Sequence, residues 1–138
     1  MSQKPENSFI QSVHRKLKEQ VYHEKMNNPW RAGTPDVWYS GNLGDLWIEY
    51  KYVTKLPISA EIRPDLTPRQ SRWLNNRFDE GRNVAVVLGT PDGGVIYRNK
   101  EWDKPLSITD IEERLQTRED IARWITNQVG VSKCRTLK

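Results

Sequence analysis

Cysteine is almost absent from this sequence: Cys134 is the only one in 138 residues. A lone cysteine excludes an intrachain disulfide and fits a reducing compartment. Histidine is nearly as scarce, with two. One Cys and two His are too few for the four-ligand set of a structural zinc site. No apolar run approaches the ~20 residues needed to cross a bilayer. The opening MSQKPENS lacks the apolar centre of a signal peptide. These absences lead to the expectation of a soluble, cytoplasmic protein with no membrane partner. Internal repeats and low-complexity stretches are also missing.

What remains is an ordinary globular balance, 36% hydrophobic and 29% charged. Its length suits one domain with a real core, so residues 1–138 are read as a single unit. The net charge of +4 is compatible with nucleic acid but does not by itself point to it.

Periodicity divides the chain. Phe9, Ile10, Val13, Leu17 and Val21 recur at three- and four-residue spacing, predicting a helix from about Pro5 to Met26. Asn27-Asn28-Pro29 ends it. The period then becomes two. Asp36 to Ser40 and Leu46 to Val53 read as strands joined by a hairpin turn at Gly41-Asn42-Leu43-Gly44-Asp45. On the second strand Leu46, Ile48, Tyr50 and Tyr52 point one way, and Trp47, Glu49, Lys51 and Val53 the other. Thr67-Pro68-Arg69-Gln70 opens a helix with a Thr cap, Pro at its first position and Gln at its third. Trp73, Leu74 and Phe78 face its core side, and Gly81 closes it. Val84 to Leu88 is apolar on both faces, as in a buried central strand. A short strand, Val95 to Arg98, follows a turn at Pro91 to Gly94. The last third reads as a helical extension, about 106–138, with Thr117 and Asp120 as another capping pair. The order predicts an α/β sandwich with a mixed central sheet flanked by helices, its core at about 5–100.

The chemistry lies in Gly33-Thr34-Pro35-Asp36 and, thirteen residues after Asp36, Glu49-Tyr50-Lys51. Antiparallel pairing can bring Asp36 close to Glu49, with Lys51 on the same face. Two carboxylates at that distance repel unless a cation sits between them. Hard oxygen ligands suit Mg²⁺ or Mn²⁺. A lysine beside such a metal can orient a water and stabilise charge developing on a phosphate. Singly, each of the three residues reads as an ordinary turn or strand-surface charge. Together, on a strand face flanked by Trp47 and Val53, they read as a site for metal-assisted phosphodiester hydrolysis. Gly-Thr-Pro-Asp recurs at 89–92, but no acidic-x-Lys follows it. Asp92 therefore reads as a turn residue.

Pro35-Asp36 with Glu49-x-Lys51 resembles the PD-(D/E)xK nuclease signature. Gly33 and the segment Leu66 to Leu74 resemble its VRR-NUC branch, known from phage and repair nucleases. The thirteen-residue spacing is also similar to archaeal Holliday-junction resolvases. The resemblance spans roughly residues 6 to 98. It implies a restriction-endonuclease-like fold, a divalent metal and DNA cleavage, in a phage-type homing, recombination or junction-resolving endonuclease. By analogy it also implies a homodimer. Asp36 and Glu49 would hold the metal with the carbonyl of Tyr50. The family adds an acid on the first helix, and Glu6 matches best, with Glu24 and Gln11 as alternatives. Gln70 matches a glutamine thought to approach the metal or phosphate, though it also suits a cap partner of Thr67.

Arg31, Lys55, Arg69 and Arg72 are candidates for phosphate contact. His14 and His23, nine residues apart on one predicted helix, read as surface residues. The six tryptophans read as core, except Trp30 beside the motif. A rival reading keeps the fold without catalysis, as a nucleic-acid-binding module.

Overall fold

The computed structural model describes residues 4–18, 21–26, 33–56 and 61–131. A five-stranded sheet runs in the order β1 (Tyr22–Lys25), β2 (Val37–Gly41), β3 (Gly44–Tyr52), β4 (Val84–Thr90) and β5 (Gly93–Tyr97). Only β3 and β4 are parallel; the other neighbours are antiparallel. A parallel pair cannot be joined by a tight turn, and the crossover here carries helix α2 (Pro68–Asp79). Helix α1 (Pro5–His14) precedes the sheet. A 3-10 turn (Glu101–Asp103), α3 (Ile108–Arg114) and α4 (Arg118–Val129) follow it.

The alternation read along β3 sorts the core into two layers. Leu46, Ile48 and Tyr50 pack with Phe9, Ile10 and Val13 of α1 and with Ile121, Ile125 and Val129 of α4. Trp47 and Val53 pack on the opposite side, with Leu74, Val86, Leu88, Trp102 and Ile111. All of β4 is buried because both layers cover it. The C-terminal extension thus covers both faces of the sheet, α4 packing in the α1 layer and α3 in the opposite one.

The predicted helix over residues 5 to 26 is shorter in the structure. It stops at His14, and the chain turns through Arg15 to Leu17. Tyr22 to Lys25 then pairs with Val37 to Ser40 as an edge strand. Val21, which continued the helical spacing, is buried in the α1 layer from outside the helix. Pairing with β2 is a non-local gain that outweighs helical propensity in a polar segment.

The β2–β3 hairpin is anchored at its tip. The Asn42 and Leu43 amides donate to the Val131 and Val129 carbonyls, at 2.9 and 2.8 Å. Gly41 is required there, since a Cβ would collide with the Val129 carbonyl. The cap pairs read from sequence are present: Thr67 with Gln70, and Thr117 with Asp120. Thr117→Ala should therefore lower the stability of the fold by about 1 kcal/mol. Urea denaturation should show a lower midpoint with an unchanged slope.

Candidate active site

Asp36 lies one residue before β2, whose ladder begins at Val37 opposite Ile48. Extending that antiparallel register by one rung sets Asp36 across from Glu49. The neighbouring rung on the same face is Trp38 opposite Trp47. Asp36 is fixed by the Tyr50 amide, which donates to its Oδ2 at 2.9 Å. Residues of β3 alternate in the direction of their backbone groups. The Trp47 and Val53 amides donate towards the β4 side, to Asn83 and Gly89. The Tyr50 amide and carbonyl hence face the Asp36 side. The residue that would lie across from Tyr50 is Pro35, which has no N–H to give. The Tyr50 carbonyl therefore lies past the end of the β2–β3 ladder, on the strand edge that faces Asp36.

Glu49 is only 3% exposed. Its Oε2 accepts from Gln70 Nε2 at 3.0 Å and lies 3.5 Å from Lys51 Nζ. Its Oε1 is buried with no hydrogen-bond partner among the described residues. Gln70 acts in two ways at once. Its Oε1 accepts from the Thr67 amide at 2.9 Å, closing the capping box, and its Nε2 holds Glu49. The cap reading and the site reading of this residue are compatible. Gly33, with φ of +100°, lets the loop before Asp36 lie against α2. A Cβ there would meet the Arg69 carbonyl oxygen at 2.8 Å.

The electrostatics follow from burial. Removal from water pushes the Glu49 carboxyl up to about 8, and Asp36 and Glu6 push it the same way against the pull of Lys51. Asp36 is raised by burial, against the Tyr50 hydrogen bond and the charges of Lys51 and Lys25. Glu6 is raised by burial and then by Asp36. Asp36 thus disfavours ionisation of both Glu49 and Glu6, and Glu6 that of Glu49. Between Glu49 and Lys51, the 3.5 Å ion pair is too weak to offset burial and two other carboxyls.

Of the first-helix alternatives, Glu6 is half-buried and electrostatically linked to this group. Gln11 is exposed on α1. Glu24 is exposed on β1, where it accepts from the Tyr22 hydroxyl at 2.7 Å. Lys55 lines a cavity of about 520 Å³ together with Glu6, Lys4 and Thr54. Arg69 and Arg72 are exposed on α2. Arg31, Trp30 and Cys134 lie outside the described residues. Asp92 is exposed in the β4–β5 turn, and its amide donates to Thr90 Oγ1.

Among the described residues, no three His, Cys, Asp or Glu side chains form a ready-made metal cage. The donor set nevertheless fits Mg²⁺. That ion is commonly held by one or two carboxylates and completes its shell with water and phosphate oxygens. An unpartnered Oε1 on a buried carboxylate facing a second carboxylate is what a cation would satisfy.

Two features escaped the sequence reading. Lys25, assigned there to a helix, reaches the acids from β1 and donates to Asn7 Oδ1 at 2.7 Å. His14 is not a surface residue. Its Nε2 is 2.8 Å from the Tyr39 hydroxyl, which is 2.6 Å from the Tyr50 hydroxyl. Burial first, then His23 and Lys25, depress its pKa to about 3. His23 is exposed, but its ring lies 4.1 Å from that of His14. The sequence carried no signal for this meeting, which depends on β1 folding back beside α1.

No protein-family model and no curated protein sequence matches the chain. Among solved structures it is similar to Hjc, a Holliday junction resolvase from the archaeal hyperthermophile Archaeoglobus fulgidus. The TM-score is 0.53 at 15% identity, over 87% of this chain and 97% of that one. The fold is restriction-endonuclease-like.

The raised Glu49 pKa has a consequence for stability. In metal-free protein the folded state holds a proton on Glu49 that the unfolded chain releases above its ordinary value of 4.5. At Glu49 the folded state binds more protons between 4.5 and about 8, but below 6.5 it binds fewer at His14, which is depressed to about 3. Stability therefore falls with rising pH between 6.5 and about 8. Urea midpoints measured across that interval should decline. Saturating Mg²⁺ should flatten the slope, and so should Glu49→Gln without metal. A metal-free midpoint that rises with pH between 6.5 and about 8 would contradict the assignment.

Proposed function

We propose that this chain is a divalent-metal-dependent endonuclease of the PD-(D/E)xK type that hydrolyses DNA phosphodiester bonds. One observation carries the reading. A buried Glu49, with one oxygen unpartnered, faces Asp36, while Lys51 and Gln70 converge on its other oxygen.

Asp36, Glu49 and the Tyr50 carbonyl would hold Mg²⁺ or Mn²⁺, with Glu6 acting from α1 through water or directly. The bound ion would polarise the scissile phosphate and supply an activated water. Gln70 keeps Glu49 from rotating, so its free oxygen stays aimed at the metal position. The Lys51 ammonium, beside that carboxylate, orients the attacking water and stabilises the charge that grows on the phosphate oxygens. Lys55, Arg69, Arg72 and Arg31 neutralise flanking phosphates of the DNA.

The substrate class we favour is branched DNA. The supporting observation is the likeness to a Holliday junction resolvase over nearly the whole of that chain. A four-way junction needs two cuts, which one active site per chain supplies in a homodimer. The Leu66 to Leu74 resemblance keeps phage-type VRR-NUC enzymes as the alternative branch.

The test uses supercoiled, linear, branched and single-stranded DNA with Mg²⁺, Mn²⁺ or EDTA. Cleavage should need the metal, and Lys51→Ala should slow it by about 10²-fold or more. Cleavage that survives both EDTA and Lys51→Ala would overturn the mechanism. Metal-independent binding with no cleavage of any substrate would favour a non-catalytic nucleic-acid-binding module.

A further inference from the structure

We infer that the cavity walled by Trp47 and Trp73 is a stacking site for an unpaired nucleobase of a DNA strand. The inference rests on the nucleic-acid reading above and adds a binding element to it.

Position is the first reason. Trp47 precedes Glu49 by two residues on the same face of β3, about 7 Å along the strand. Trp73 follows Gln70 by three residues, so it lies one turn along the same side of α2. The contact between Glu49 and Gln70 is repeated one step away by the two indoles, whose ring centroids are 5.4 Å apart. Trp38 extends the row, stacked on Trp47 at 5.9 Å and 23°. A strand crossing the carboxylates runs directly on to this aromatic row.

Exposure and chemistry are the second. Trp38, Trp47 and Trp73 are all half-buried, unlike Trp102, which is fully enclosed. Beside Trp47 and Trp73 the cavity measures about 630 Å³ and is also lined by Arg77, Arg82, Asn83 and Gln128, and by one acid, Asp45, which accepts from the Ser40 hydroxyl. That is ample for one nucleotide. The Arg77 guanidinium carbon lies 5.9 Å from the Trp73 ring, and its Nε–H has no acceptor among the described residues. Arg82 is exposed and forms no ion pair among the described residues, so it is available to a phosphate. The Asn83 side-chain nitrogen donates to Gln128 Oε1 at 3.1 Å, which leaves the Gln128 Nε2 hydrogens and Asn83 Oδ1 for a base edge. Half-exposed indoles, arginines and amides around one cavity suit a base face, a phosphate and a base edge in turn. In a paired duplex the base faces are already stacked, so only an unpaired base can enter.

The test measures binding in EDTA, where no cleavage occurs, to fluorescein-labelled single-stranded, flapped and fully paired DNA. Trp73→Ala should weaken binding to the first two about tenfold, and Trp73→Phe should restore most of it. Affinity for paired DNA should change less than about twofold. A 2-aminopurine placed along the single strand should be quenched by the wild-type chain at one position and not by Trp73→Ala. Equal losses on all three DNAs, or none, would overturn the inference. If Trp73→Ala does not fold, the wild-type quenching scan decides, and absence of quenching at every position overturns it. Metal-dependent cleavage without Trp73 dependence or quenching would sink this inference alone. Quenching and Trp73 dependence without cleavage of any DNA would sink the nuclease reading and leave this one standing.

Discussion

Glu49 is a carboxylate taken out of water on a central strand, facing Asp36 across the sheet and with Glu6 near by. Left without a cation, such a group holds its proton, because burial and its acidic neighbours act together. The chain holds it there by devices that begin in ordinary secondary structure. A hairpin register puts Asp36 across from it. A capping box at the start of α2 leaves the Gln70 side-chain Nε2 free to donate to it. A glycine before Asp36 lets the loop lie against the α2 backbone. Each device also serves the fold locally, so the acid cluster is carried by elements that would form without it.

The other face of β3 explains why the cluster can be rigid. Tyr50 contributes its amide to Asp36 while its ring is fully buried in the α1 and α4 layer. There its hydroxyl joins a hydrogen-bonded line through Tyr39 to His14. A shift of β3 by one residue would exchange these two faces completely. It would set tyrosines among the acids and carboxylates in the apolar layer. The register of one strand is therefore fixed from both sides, by apolar packing on one and by the paired polar groups on the other.

Much of this was legible in the sequence. The alternation from Leu46 to Val53 identified both faces of β3, and Thr67-x-x-Gln70 identified the helix start together with the glutamine that donates to Glu49. Asp36 and Asp92 differ in their surroundings: Asp92 lies in the β4–β5 turn, whereas the β2–β3 register extended by one rung leads from Asp36 to Glu49. What was not legible depended on long-range pairing. Val21 continued a helical spacing that the chain abandons at His14, so β1, Lys25 and the meeting of the two histidines were hidden. The tryptophans read as core because apolar period alone does not tell a packed ring from the half-exposed wall of a cavity. For Trp47 there was a usable signal: strand alternation puts it on the same face as Glu49.

The account turns on Asp36 and Glu49 sharing one divalent cation. Calorimetric titration of Mn²⁺ into the wild-type chain, Asp36→Asn and Glu49→Gln, all checked for folding by circular dichroism, tests that most directly. The account predicts saturable binding to the wild type, with proton release near neutral pH as Glu49 ionises, and loss of that binding in both variants. Unchanged Mn²⁺ affinity in either folded variant would contradict it.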